Sequence, residues 1–267
     1  MPSIAYWLAY CGIGAVTGLI AGLFGVGGGI VIVPALYWLF FLQGFPQAEL
    51  MHLALGTSLA IMVCTLLASY RVHARRGAVR WDIFKVFTPG SLLGAVVGAW
   101  IAARLSTQAL KGAFVVLLYY VAVRMLFDHK RQTTHQLPRP AGLAATGCGI
   151  GLLANLLGIS GGLMTVPFLL WCNVPIREAV GTAAASALPI AVVGTLGYLA
   201  TGLSVRDLPP YCVGFISLPA LAAVATTSML LARSGAHLAH NLPVVILKRL
   251  FAVLLLAMGT RMLWTMF

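Results

Sequence analysis

An integral membrane protein made of α-helices, in two inverted copies of one repeat, is the fold class this sequence predicts. Three observations carry that reading: the composition, a glycine motif that occurs twice, and the sidedness of the basic residues. Apolar residues fill 61% of 267 positions and charged residues only 8%, where a soluble domain carries roughly 25% charge. Mean hydropathy is strongly positive. Long apolar runs interrupted by Gly and Pro indicate helices, since barrel strands would alternate about every second residue.

In chain order the apolar segments are 4–24, 29–42, 50–72, 84–104, 107–127, 141–157, 162–173, 178–201, 209–232 and 244–265. The first lacks a basic stretch before it, and its counterpart lies mid-chain, so it is expected to be structure and not a signal peptide. A crossing needs about 20 residues. Segments 29–42 and 162–173 are shorter, so each is half a crossing: either a re-entrant hairpin with its predecessor or one limb of a broken helix. The count is therefore about 8–10 membrane segments.

The glycine motif GLIAGLFGVGGGIVIVPAL at 18–36 returns as GLLANLLGISGGLMTVPFL at 151–169, with ten of nineteen positions identical. The repeat extends to Gly56-Thr57 and Gly181-Thr182, to Gly77 and Asp82 against Gly202 and Asp207, and to 109–126 against 246–263, where nine of eighteen residues agree. Two membrane repeats follow, 1–130 and 141–267, joined by a polar cytoplasmic linker at 131–140, in one membrane domain. Gly14, Gly18 and Gly22 fall four apart, as do Gly90, Gly94 and Gly98, the interval that lets helix backbones approach closely. Gly25 and Gly29 share that interval, so helix packing is one reading of the motif. The consecutive glycines at 27–29 favour another, a loop built for a ligand.

The net charge of +12 is assigned to loops that set orientation, not to nucleic acid. Thirteen basic residues collect on one side: Arg71, Arg75, Arg76, Arg80, Lys85, Arg124, Lys130, Arg131, Arg139, Arg177, Arg233, Lys248 and Arg249. Four lie on the other: Arg104, Lys111, Arg206 and Arg261. The larger set faces the cytoplasm, both termini face the periplasm, and each half crosses an odd number of times. Two such halves in one chain are inverted relative to each other, the plan of many secondary transporters.

The motif GLFGVGGGIVIVPAL, its copy GISGGLMTVPFLL, the GTS triplet at 56–58 and HARRGAV at 73–79 resemble the sulfite exporter TauE/SafE family over essentially the whole chain. The resemblance implies a bacterial inner-membrane transporter of sulfite, sulfonates or related small anions. Ser160 stands where the first copy has Gly27, and Ala183 where it has Ser58, so the two half-sites are unequal.

A helix that starts after a glycine turn aims unpaired N–H groups and its positive dipole end at the turn, an anion site without a charged side chain. Gly25, Gly27, Gly28 and Gly29 with Gly158, Ser160, Gly161 and Gly162 are the expected binding loops, and Thr57, Ser58 and Thr182 the expected further donors. Pro34 and Pro167 break the following short helices. Lys111 with Arg124, and Lys248 with Arg261, lie about 20 Å apart along a helix, less than the hydrocarbon layer. They either snorkel to headgroups or face an aqueous cavity. His52 and Arg177 precede the Gly-Thr pairs by four residues, with Glu49 and Glu178 nearby. They cap helix starts, or they gate and couple to protons. Asn155, an amide deep in an apolar segment, glues helices or touches substrate.

No enzyme is expected: the five acidic residues offer no general acid–base pair, and no Ser or Cys has a local His partner. No phosphate-binding loop, cofactor motif or metal-ligand spacing is present, and the five cysteines read as small buried residues. The expected partners are a small anionic substrate and the lipid bilayer; the oligomeric state is left open. A divalent anion leaving an interior-negative cell gains about 4.6 kcal/mol at 100 mV, so efflux needs no coupling ion. The alternatives are proton-coupled uptake through Glu49 or Glu178 and, behind it, metal-ion transport.

Overall fold

The computed structural model describes residues 4–24, 28–126, 136–205, 208–241 and 244–265, with the main chain alone at 22–24, 72, 233–241, 244–248 and 250. Among the described residues ten helices succeed one another: α1 (Ile4–Phe24), α2 (Gly29–Leu42), α3 (Leu50–Arg75), α4 (Trp81–Ala102), α5 (Thr107–Leu126), α6 (Pro140–Leu156), α7 (Gly162–Trp171), α8 (Ile176–Gly202), α9 (Leu218–Asn241) and α10 (Val244–Trp264). Among the described residues, α1, α3, α4, α5 and α8 are long and apolar enough to cross a membrane. The protein is an all-α membrane protein but for two antiparallel two-residue strands, β1 (Cys212–Val213) and β2 (Ile216–Ser217). They correct the expected helical segment 209–232. Pro209 and Pro210 cannot donate to a helical ladder, and Gly214 takes a φ of 53° to turn the chain, so α9 begins only at Leu218.

The short helices fold back on their predecessors. Gln43, just past α2, donates its amide to the Tyr10 hydroxyl at 2.8 Å, and Tyr6 donates to the Leu42 carbonyl at 3.4 Å. The end of α2 therefore lies beside the beginning of α1, which is a hairpin and not two limbs of one broken helix. Fourteen residues rise only about 21 Å, so α2 starts well inside the bundle. For α7, Phe87 makes the same point: its carbonyl sits against Gly147 on α6 while its ring stacks on Phe168 at 6.5 Å. Pro34 and Pro167 each occupy the sixth position of α2 and α7, where each frees one carbonyl from the ladder. Pro34 is buried and Pro167 exposed.

Helix pairing follows the duplication. α4 packs along α6 and α1 along α9, while α3 packs on α8 and α5 on α10; exchanging the two halves carries this set onto itself. Small residues make the long contacts possible. Gly90, Gly94 and Gly98 lie against the carbonyl oxygens of Ala144, Cys148 and Leu152, and Gly147 and Gly151 answer against Phe87 and Ser91. Gly14 and Gly18 press on the backbone of Val224 and Ser228 in α9. Asn155 joins three helices: its amide donates to the Ala95 carbonyl at 3.0 Å, and its own carbonyl accepts from the Tyr198 hydroxyl at 3.2 Å.

Contacts between helix ends sort the bundle. His52 lies 3.1 Å from the Ala102 carbonyl, and Lys111 reaches Thr265; with the Tyr10–Gln43 contact, these put the starts of α1, α3 and α5 beside the ends of α2, α4 and α10. This is the terminal end. At the opposite end Arg80 meets Glu178 across 3.3 Å. Arg104, Lys111 and Arg261 lie at the terminal end, and Arg71, Arg75, Arg76, Arg80, Lys85, Arg124, Arg139 and Arg177 at the opposite one. Lys130, Arg131 and Arg206 lie outside the described residues.

Candidate functional site

α3 presents one face to each of two partners. Leu55, Ser58 and Met62 fall three and four residues apart, one stripe of a helix, and all three touch the glycine loops. A Cβ at Gly158 would stand 2.8 Å from the Leu55 Cα, the Ser58 hydroxyl donates to the Gly158 carbonyl at 3.1 Å, and the Met62 sulfur lies 2.6 Å from where a Cβ at Gly29 would be. The same point on Gly29 is 3.2 Å from the Cα of Ile159. The two glycine loops, 130 residues apart in sequence, therefore meet, and they do so midway along α3. Gly28 and Gly158 hold positive φ of 70° and 58°, a conformation that costs a side-chain-bearing residue strain. Gly25 and Gly27 lie outside the described residues.

The hydrogen bonds at the loops leave donors over. The Gly28 carbonyl accepts from Val31 and Ile32, the Gly161 carbonyl from Met164 and Thr165, and the Ser160 carbonyl from Leu163. The N–H groups of Gly29, Ile30, Gly161 and Gly162 have no backbone acceptor among the described residues. They are the first N–H groups of two helices, which no carbonyl within the helix can accept, and α2 and α7 run from this meeting point toward opposite ends. Ser160 is buried beside Gly162, whose missing Cβ would find, among the described residues, the Ser160 hydroxyl at 3.7 Å.

The second face of α3 holds an extended segment of the other half. His52, Gly56 and Thr57 meet Phe215 to Ser217: the imidazole stacks on Phe215 at 5.0 Å, Gly56 lies against the Phe215 carbonyl, and the Thr57 hydroxyl oxygen accepts from the Ser217 N–H at 3.0 Å. α8 repeats the device. Gly181 lies against the Ala78 carbonyl and Thr182 accepts from the Arg80 N–H at 2.9 Å. The repeated Gly-Thr pair is thus a clamp between halves, in which the Thr57 and Thr182 oxygens, expected at the substrate, each accept a backbone N–H. Thr57→Val would leave a buried Ser217 N–H unpaired, and is expected to lower stability by about 1–3 kcal/mol; unfolding in detergent checks this, with Thr57→Ser close to wild type.

The four expected gating residues fall in two places. Glu49 and His52 stand 3.5 Å apart, and His52 Nε2 reaches the Ala102 carbonyl, leaving Nδ1 turned to the carboxylate. Both line an open cleft of about 1100 Å³ at the terminal end, together with Arg104 and Lys111. Arg177, the repeat counterpart of His52, is exposed. Glu178 pairs with Arg80, whose guanidinium also meets Asp82 at 2.6 Å. Those two carboxylates, Asp82 first, raise the Arg80 pKa above its ordinary value. Sequence spacing did not point to Arg80 as the residue bridging α8: the two lie 98 residues apart, and the only signal was the repeated Gly-Thr pair.

Comparison with known proteins comes to the same kind of molecule. Residues 10–262 match the family described as sulfite exporter TauE/SafE. A probable membrane transporter protein of Haemophilus influenzae is 33% identical over 251 residues, 94% of this chain and 95% of that protein. Others named in the same way are similar at 28% in Bacillus subtilis, over 86% of this chain and 89% of the relative, and at 26% in Methanocaldococcus jannaschii, over 78% and 76%. No solved structure matches the chain.

Proposed function

This chain belongs to the sulfite exporter TauE/SafE family and is a membrane transporter, and from that premise we propose that it carries small oxyanions, sulfite or sulfonates, out across the bacterial inner membrane. The observation that carries this reading is the meeting of two half-length helices, α2 and α7, N-terminus toward N-terminus, at Gly29 and Ile159. Each brings orphan N–H donors and the positive end of a helix dipole, and together they favour an anion with no fixed cation to trap it. In this reading Gly28, Gly29, Ser58, Gly158, Ser160, Gly161 and Gly162 form the binding region.

The halves supply the machinery. α1 to α5 set out from the terminal end and α6 to α10 return to it, the arrangement an inverted repeat requires, and the pairing of helices across the halves supports alternating access by rocking one against the other. The Arg80–Glu178 pair and the Thr182 clamp close the opposite end, which the basic residues mark as cytoplasmic. The cleft at the terminal end then opens to the periplasm.

One observation favours a second reading, proton-coupled uptake of the same anions. The Glu49–His52 pair, a carboxylate oxygen 3.5 Å from an imidazole nitrogen, lines that cleft. Flux of radiolabelled sulfite in proteoliposomes decides between them. Efflux predicts transport that an imposed potential accelerates, up to a gradient worth about 2.3 kcal/mol per charge per 100 mV. Flux indifferent to voltage but driven by a pH gradient would overturn it.

A further inference from the structure

Lys111 is the buried cation that the central site does not use. It lies on the first turns of α5, is 2% exposed, and forms part of the wall of the terminal cleft. Among the described residues the ion pairs are Glu49 with His52 and Arg80 with Asp82 and Glu178; Lys111 has no carboxylate within that range. Its ammonium has three N–H donors. One goes to the Thr265 hydroxyl at 2.5 Å, and the Tyr37 ring lies 4.9 Å away. Thr265 gives its own proton to the Met262 carbonyl at 3.0 Å, so it meets Lys111 as a pure acceptor. At least one donor remains for the cleft. A buried ammonium without a counter-charge is costly, and an anion entering the cleft supplies one.

The surroundings suit the same ligand. Arg104, also in the wall, is held by stacking on Trp100 at 3.4 Å. Glu49, the acid in the wall, stands 3.5 Å from His52 rather than beside Lys111. His52 lies three residues before Leu55, about 4.5 Å along the helix axis, and Leu55 packs on Gly158. The cleft therefore ends about one turn from the glycine loops.

We propose that the terminal cleft is a second anion station, in which the Lys111 ammonium, backed by Arg104, binds an oxyanion on its way between the glycine loops and the water outside. The proposal rests on the loops being the central site, and the test separates the two. Radiolabelled sulfite binding is measured in phosphatidylcholine nanodiscs for the wild type, Lys111→Gln, Lys111→Arg and Gly162→Leu. The wild type should bind two anions per chain. Lys111→Gln should weaken one of them about 10- to 100-fold, the worth of one charge-assisted contact, and Lys111→Arg should restore it. Gly162→Leu should remove the other and leave the cleft site intact. Unchanged binding in folded Lys111→Gln overturns the cleft station and spares the loops, whereas unchanged binding in Gly162→Leu overturns the loops and spares the cleft. A phosphate headgroup has the same chemistry, so phosphatidylglycerol retained per chain is counted by native mass spectrometry. Lipid lost in Lys111→Gln with sulfite binding unaltered makes the site a headgroup site and overturns the proposal.

Discussion

Gly162→Leu is expected to reduce sulfite transport by at least about 100-fold while leaving the protein folded. The position is chosen by the space around it. Among the described residues a Cβ at Gly162 meets the Ser160 hydroxyl alone, at 3.7 Å, so no described backbone atom obstructs a side chain there. At the first position of α7, that side chain would crowd the N–H groups assigned to the anion. A shift of about 1 Å at such a site costs on the order of 100-fold, and full occlusion costs more. Neighbouring glycines make poorer tests. Gly28 and Gly158 need positive φ, at 70° and 58°, so any substitution there strains the chain whatever the site does. A Cβ at Gly29 would stand 2.6 Å from the Met62 sulfur and 3.2 Å from Ile159 Cα. Gly161 is intermediate, with the Ile190 side chain at 3.0 Å. Flux in proteoliposomes is read beside size-exclusion behaviour and the unfolding temperature. Retained transport in a folded Gly162→Leu protein would clear the loops of the role.

Much of this architecture was legible because it rests on local or periodic signals. Apolar length and glycine punctuation located α1, α2 and α10 to within a residue or so, and the repeat matched α3 with α8 and α5 with α10, which the structure packs together. The sidedness of Arg and Lys separated the same helix ends that the His52–Ala102 and Arg80–Glu178 contacts separate. What stayed hidden depends on partners distant in sequence. Thr57 and Thr182 read as substrate donors, because a repeated hydroxyl beside a glycine looks the same whether it meets an anion or a backbone N–H. The approach of Ser217 and Arg80, 160 and 102 residues away, shows what the two oxygens accept. Asn155 offered gluing and substrate contact equally, and its contacts with Ala95 and Tyr198 place it among the helices. The second half also carries the β1–β2 turn between α8 and α9, where the first half has only a short loop between α3 and α4; Asp207, matched to Asp82 in sequence, lies outside the described residues.

Gly94→Ala should be among the most damaging single methyls in the described residues, and Gly149→Ala one of the most harmless. Both glycines lie in the α4–α6 pair. At Gly94 the added Cβ would fall on the Cys148 carbonyl oxygen, with the Cys148 carbonyl carbon 2.7 Å and its Cα 2.9 Å away. These are backbone atoms, which cannot swing aside as a flexible side chain does, so the helices must separate. Separation would also open the contacts at Gly90, Gly98, Gly147 and Gly151, because all five glycines share one interface. Overpacking of this kind costs on the order of 3 kcal/mol or more, and in a bilayer no hydrophobic drive between helices makes up for lost packing. At Gly149 nothing lies within 4 Å, and replacing a helical glycine by alanine gains up to about 1 kcal/mol. The same substitution thus carries opposite signs on one helix pair. Unfolding in detergent, or the fraction recovered as monodisperse protein, reads the difference directly. Equal behaviour of the two variants would mean that close backbone approach is not what holds the first half to the second. Since α4 and α6 come from different halves, the loops at Gly29 and Ile159 would then need another cause for meeting.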